Sequence, residues 1–108
     1  MESKSAPITG LPDGLTPEKV RGYLDRRAKD LETIRAVVKA EGEGESRPRL
    51  REIAHRIKGN AALYGLPELG KIAGELVGVV DRADWPSVVQ TAVRFVERIE
   101  SERIRFRE

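Results

Sequence analysis

Apolar residues recur along this chain at spacings of three and four, in four stretches separated by polar, Gly- or Pro-containing breaks; no stretch alternates with a period of two. That spacing is the signature of amphipathic helices. The first stretch carries Val20, Tyr23, Leu24, Leu31, Ile34 and Val38. Thr16 suits its N-cap, Pro17 its first position and Glu18 the positive end of its dipole, and the helix should end near Ala40. The second carries Leu50, Ile53, Ile57, Ala61 and Tyr64. Ser46 is its expected N-cap, Pro48 falls in its first turn, and Gly65 sits where a left-handed cap belongs. The third opens at about Pro67 and carries Leu69, Ile72, Ala73, Leu76, Val79 and Val80. Gly70, Gly74 and Gly78 lie along one of its sides, as for close helix packing. The fourth is capped by Asp84 and carries Val88, Ala92, Phe95, Val96 and Ile99, after which the charge-rich Ser101–Glu108 reads as a frayed end. Short breaks between four such helices predict an all-α, antiparallel up-down-up-down four-helix bundle.

Before the first helix, Pro7, Gly10, Pro12 and Gly14 mark residues 1–15 as a flexible N-terminal arm, which leaves 16–108 as the bundle domain. Glu41–Ser46, with two glycines and no apolar residue, reads as a loop. With five aromatic residues in 108, the core must be mostly aliphatic. Twenty basic residues are interleaved with eighteen acidic ones, which describes a solvated, ion-paired surface rather than a stripe for nucleic acid. The local exception is 47–58, where Arg47, Arg49, Arg51, Arg56 and Lys58 accompany a single Glu. There is no cysteine and one histidine, which excludes a disulfide scaffold, a thiolate nucleophile and an ordinary zinc site. No segment approaches the ~20 apolar residues of a membrane span and no signal peptide is legible, so the expected location is the cytoplasm.

The single histidine, His55, lies on the second helix. At about 100° per residue it falls nearly opposite the centre of the apolar stripe. Arg51, Lys58, Gly59 and Ala62 share its outward face. A metal role fails on ligand count, and a catalytic triad lacks a nearby nucleophile and pocket. What remains is nucleophilic use of the imidazole on a group brought from outside. Lys58, three residues on, and Arg51, four back, are within reach of an anionic group on the ring, and a phosphoryl there would carry close to two negative charges. Gly59 costs roughly 1 kcal/mol relative to alanine in an exposed helix interior. Since it points away from the stripe, close approach of another protein accounts for it better than internal packing does. Asn60 lies towards the core boundary, where a structural hydrogen bond is expected.

Ala54-His55-Arg56-Ile57-Lys58-Gly59-Asn60-Ala61, closing at Gly65, resembles the signature of histidine-containing phosphotransfer (HPt) domains: His-x-x-Lys-Gly, a small polar residue, and a glycine ten positions after the histidine. Leu69–Leu76 is similar to that family's next helix, and Asp84-Trp85 to the turn before its last; the resemblance spans roughly Val20 to Ile99. Many members carry Glu where this chain has Val77, a departure that bears on partner preference or packing. The resemblance implies that His55, through Nε2, accepts a phosphoryl group from a receiver-domain phospho-aspartate or a histidine kinase, hybrid or orthodox, and passes it to a response regulator. It implies Lys58 as charge stabiliser, with Arg51, Gly59 and Ala62 at the docking face. It also implies a phosphoryl carrier without kinase activity, holding no cofactor or metal of its own, with Mg²⁺ in the partner receiver. The absence of a Gly-Lys-Ser/Thr phosphate loop agrees with that reading. The alternatives are a bundle that binds a receiver or kinase without accepting phosphate, and, more weakly, a nucleic-acid binder using the 47–58 cluster. The expected partners are receiver domains and kinases, not nucleic acid or membrane.

Overall fold

In the computed structural model, residues 11–40 and 44–107 are described, and all their regular structure is helical. Helix α1 spans Pro17–Lys39, α2 Ser46–Asn60, α3 Pro67–Val79 and α4 Trp85–Arg105, with a 3₁₀ turn at Ala62–Tyr64. α1 packs on α2 and α4, and α3 packs on the same two from the other side, as a four-helix bundle requires. No described helix is long and apolar enough to cross a membrane.

The core is what the apolar spacing foretold. Leu24 and Ile34 of α1, Leu50 and Ile57 of α2, Leu69 and Leu76 of α3, and Phe95 and Ile99 of α4 are all essentially without solvent contact. Fully burying each such side chain contributes about 1.5–3 kcal/mol. α1 starts as expected: the Lys19 amide donates to Thr16 Oγ1 at 3.2 Å, behind Pro17 and Glu18.

α2 differs at both ends. Ser46 is its first residue and buried, not its cap; Glu45 holds the N-cap position without a side-chain capping bond. At the other end the α-helix stops at Asn60 and the last turn tightens to 3₁₀. Leu66 N–H bonds to Ala61 O and Gly65 N–H to Ala62 O, both at 3.0 Å, with Gly65 at φ +71°. That is a Schellman closure, and the left-handed residue it needs is glycine. Leu11 and Leu15 pack against the core, and Leu11 and Pro12 lie directly over Gly65, where a side chain at position 65 would have no room. The remainder of the expected arm, 1–10, and positions 41–43 of the expected loop lie outside the described residues.

Among the described residues, which end at Arg107, the expected fraying after Ser101 is not found. α4 continues to Arg105, with Glu102 3% and Phe106 2% exposed. The reason is periodicity: Phe95, Ile99, Glu102 and Phe106 continue one inward stripe. Arg105 ion-pairs with the Glu102 carboxylate at 2.8 Å, and Arg21 Nε donates to Phe106 O at 2.7 Å, which ties the end of α4 to α1.

Arg47 holds the α3–α4 corner. Its Nη1 donates to Val80 O at 2.7 Å and Ala83 O at 2.9 Å, and its guanidinium lies over Trp85, 5.5 Å from the ring centre. It thereby satisfies carbonyls left open at the end of α3. Asp84 sits at the N-cap of α4 as expected, but its carboxylate accepts from the Ser87 hydroxyl at 2.7 Å rather than making a side-chain cap to the backbone. That bond, chiefly, lowers its pKa below the ordinary carboxylate value.

Candidate functional site

The site is built on α2, which lies between α1 and α3. Leu50, Ile53, Ala54 and Ile57 face the core, and this phase turns His55 outward, where it is exposed. The imidazole has no hydrogen-bond partner among the described residues, so the structure leaves both ring nitrogens open to solvent.

The helix beneath the histidine is fixed from the α1 side. Tyr23 stacks on Tyr64 with ring centres 4.2 Å apart and planes 15° apart. Its hydroxyl donates to Asn60 Oδ1, the structural hydrogen bond expected of Asn60. Burial raises the Tyr23 pKa above 10.0, and neighbouring Arg27 opposes that only in part. The buried Asp30 carboxylate lies 3.3 Å from Arg27 Nε and accepts from Arg56 Nη2 at 3.0 Å. Arg56 is thus drawn towards α1 on one flank of His55.

The other flank faces α3. Arg51 Nε pairs with Asp81 at 3.2 Å, both side chains exposed, so its guanidinium is engaged at the end of α3. Lys58 lays its methylene stem across Gly74, where a Cβ would lie in ordinary contact with it, 3.6 Å from Lys58 Cε. Lys58 has no carboxylate partner among the described residues, which leaves its ammonium available one turn from His55. Gly70 similarly meets Ala61, with its would-be Cβ at 3.5 Å, so two of the three α3 glycines are contact points with α2. Gly78 is not: it is exposed, and a Cβ there meets nothing within 4 Å.

The bare strip stands as its phase predicts. A Cβ on Gly59 would meet nothing within 4 Å, and Gly59 and Ala62 are both exposed. Leu63, 71% exposed, adds an apolar side chain one turn beyond Gly59. A shallow depression of about 350 Å³ beside the histidine is lined by Pro48, Arg51, Glu52 and Arg56. It is too open to enclose a small substrate. Among the described residues no group of three or more His, Asp or Glu side chains is placed to hold a metal ion. The arrangement is therefore a solvent-facing imidazole on a convex helix, with a cation one turn away and clearance around it. A family model for the Hpt domain matches residues 20–102, most of the bundle.

The chain belongs to the Hpt domain family. No curated protein and no solved structure gave a significant match. The family makes this Hpt domain a histidine phosphotransfer module of two-component signalling, whose partners in general are kinases and receiver domains.

Sequence reasoning placed His55, Lys58, Gly59 and Ala62 on one face of this Hpt domain, and the structure brings them together there. It did not separate Gly78 from the packing glycines, because all three share one spacing and only the position of α2 distinguishes them. It passed over Leu63, although 100° per residue already sets that side chain off the apolar stripe and beside Gly59. It read Arg47, Arg51 and Arg56 as one basic cluster; instead each is committed to a partner on α1, α3 or the α3–α4 corner. That removes most of the free charge on which a nucleic-acid reading relied.

Proposed function

We propose that this chain is a phosphoryl carrier in a two-component phosphorelay: His55 accepts a phosphoryl group from a receiver-domain phospho-aspartate or from a histidine kinase, and passes it to a response regulator. The observation that carries this reading is the pairing of an open, outward imidazole with a Lys58 ammonium that has no carboxylate partner among the described residues and an empty Gly59 position on the same face of an Hpt domain.

In the step proposed, Nε2 of the neutral ring attacks phosphorus in line with the acyl oxygen. The N–P bond forms as the P–O bond breaks, and the bonding pair leaves on the aspartate carboxylate. The Nδ1 proton is open to solvent. Little covalent chemistry is asked of the domain; its part is positioning and charge stabilisation. Lys58 approaches the equatorial oxygens from the α3 side. Across roughly 5 Å of high-dielectric surface, one cation facing a dianion contributes about 1–2 kcal/mol. Arg51 adds to this when it leaves Asp81. Gly59 and Ala62 let the receiver's surface close on the ring, with Leu63 as an apolar contact at the edge. Mg²⁺ belongs to the receiver's own acidic pocket. The carrier has no kinase activity, acts in the cytoplasm, and uses 16–108 as its working domain, with Leu11 and Leu15 packed onto it.

The test is incubation with a receiver domain labelled on its phospho-aspartate. The reading expects transfer of an acid-labile, base-stable label to the wild-type chain and none to His55→Gln. No transfer from any candidate receiver or kinase, to a chain whose helical circular dichroism is intact, would overturn it.

A further inference from the structure

Two arginines border the depression beside His55, and each is held by a carboxylate on a neighbouring part of the bundle. Arg51 pairs with Asp81, just past the end of α3, and Arg56 with Asp30 of α1. A phosphoryl group on the ring is a new anion that competes for both.

The two pairs differ in what their release leaves behind. The Asp81 side chain is 61% exposed, so water replaces Arg51 there at little cost. The Asp30 side chain is 13% exposed, and its Oδ2 is buried with no hydrogen-bond partner among the described residues. Taking Arg56 away would leave that carboxylate with Arg27 alone, in a place water reaches poorly, which costs far more. Arg51 is therefore the arginine that can move.

Position agrees with mobility. At about 100° per residue, Arg51 shares the α3 flank of His55 with Lys58, whereas Glu52 shares the α1 flank with Arg56. Like charge turns a phosphoryl away from Glu52 and towards α3. Arg51 stands four residues before the ring and Lys58 three after it, about 6 and 4.5 Å along the helix axis. Both reach a group on the ring, and the planar fork of Arg51 can take two phosphoryl oxygens at once.

We propose that Asp81 is a positioning residue for the phosphorylated state. It holds the Arg51 guanidinium beside the unmodified ring and yields it when His55 carries a phosphoryl group, while Arg56 stays on Asp30. Competition from Asp81 thereby sets how firmly the phosphoryl is held, an inference that deepens the phosphotransfer reading and rests on it.

The test has two arms. In the first, the full chain is phosphorylated on His55 with phosphoramidate, which forms the N–P bond on the imidazole and leaves as ammonia, so no receiver is needed. The Arg51 Nε–H signal in NMR should then shift several times further than that of Arg56. In the second arm, the equilibrium division of phosphoryl between the dilute chain and a phospho-receiver is measured, a quantity set by the free proteins and not by how they dock. Asp81→Asn should move it towards the chain about threefold, and Arg51→Gln away from the chain about threefold. The double variant Arg51→Gln/Asp81→Asn should match Arg51→Gln within about 1.5-fold, because Asp81 acts through Arg51. Both positions are exposed, and circular dichroism checks the fold of each variant. An Arg51 signal that moves no further than that of Arg56, an Asp81→Asn chain that divides phosphoryl as wild type does, or an Asp81→Asn effect that survives without Arg51 would overturn the proposal. A shifted Arg51 signal in the first arm with no transfer in the second would support the exchange and count against the relay alone.

Discussion

Gly59 offers a perturbation in which stability and function should move in opposite directions. It sits in the last turn of α2 with helical neighbours, and a methyl group added there meets nothing within 4 Å. Gly59→Ala therefore creates no clash and removes the entropic cost of glycine in a helix. At an exposed interior position that is worth about 0.5–1 kcal/mol. For a domain of this size the thermal midpoint should rise by roughly 2–6 °C. Phosphotransfer should not share in the gain. If the strip exists for the close approach of a receiver, the methyl slows transfer, and the longer Gly59→Gln side chain, which also favours helix, slows it by an order of magnitude or more. Thermal denaturation followed at 222 nm and transfer from a labelled phospho-receiver, measured on the same three proteins, read both effects. A lower midpoint for Gly59→Ala would mean that the glycine serves packing. A Gly59→Gln chain that is phosphorylated at the wild-type rate would mean that the bare surface does not serve docking.

Removing the Lys58 ammonium with Lys58→Ala should slow transfer or shorten the phosphohistidine lifetime by about 5–20-fold with little change in the unfolding midpoint, because the charge has no partner among the described residues. Arg47→Ala should cost about 2–3 kcal/mol in urea denaturation by orphaning the Val80 and Ala83 carbonyls, with His55 chemistry unaffected in the folded protein. Tyr23 fixes an alkaline limit. Its pKa is raised by burial, so its contribution to stability is complete below pH 10.0 and is lost as pH rises through the folded value. Urea midpoints should fall above pH 10.0 in wild type and less steeply in Tyr23→Phe, which starts lower through loss of the Asn60 bond.

Helix number, helix phase and the identity of the exposed histidine were legible because each depends on residues three and four positions apart. The same local logic read Thr16-Pro17 as a helix start and Gly65 as a left-handed closure. What escaped depends on groups distant in sequence. Ser46 looks like a cap by type, yet the fold buries it and gives the cap position to Glu45. Ser101–Arg107 looks frayed by its charge, yet Arg21 of α1 binds the Phe106 carbonyl and Phe106 is buried. Arg47, Arg51 and Arg56 look like one basic patch, but Val80 and Ala83, Asp81, and Asp30 divide them among separate neighbours. In each case composition suggested exposure and a long-range partner decided otherwise.

Locating the phosphoryl group itself bears most directly on the central claim. The chain would be incubated with a phospho-receiver and Mg²⁺, kept at alkaline pH, digested, and sequenced by electron-transfer mass spectrometry. The account predicts an added phosphoryl on the peptide containing Ala54-His55-Arg56, with the fragment ions placing it on His55 and no other residue modified. A phosphoryl group on any Ser, Thr, Tyr, Asp or Glu, with His55 unmodified, would contradict it.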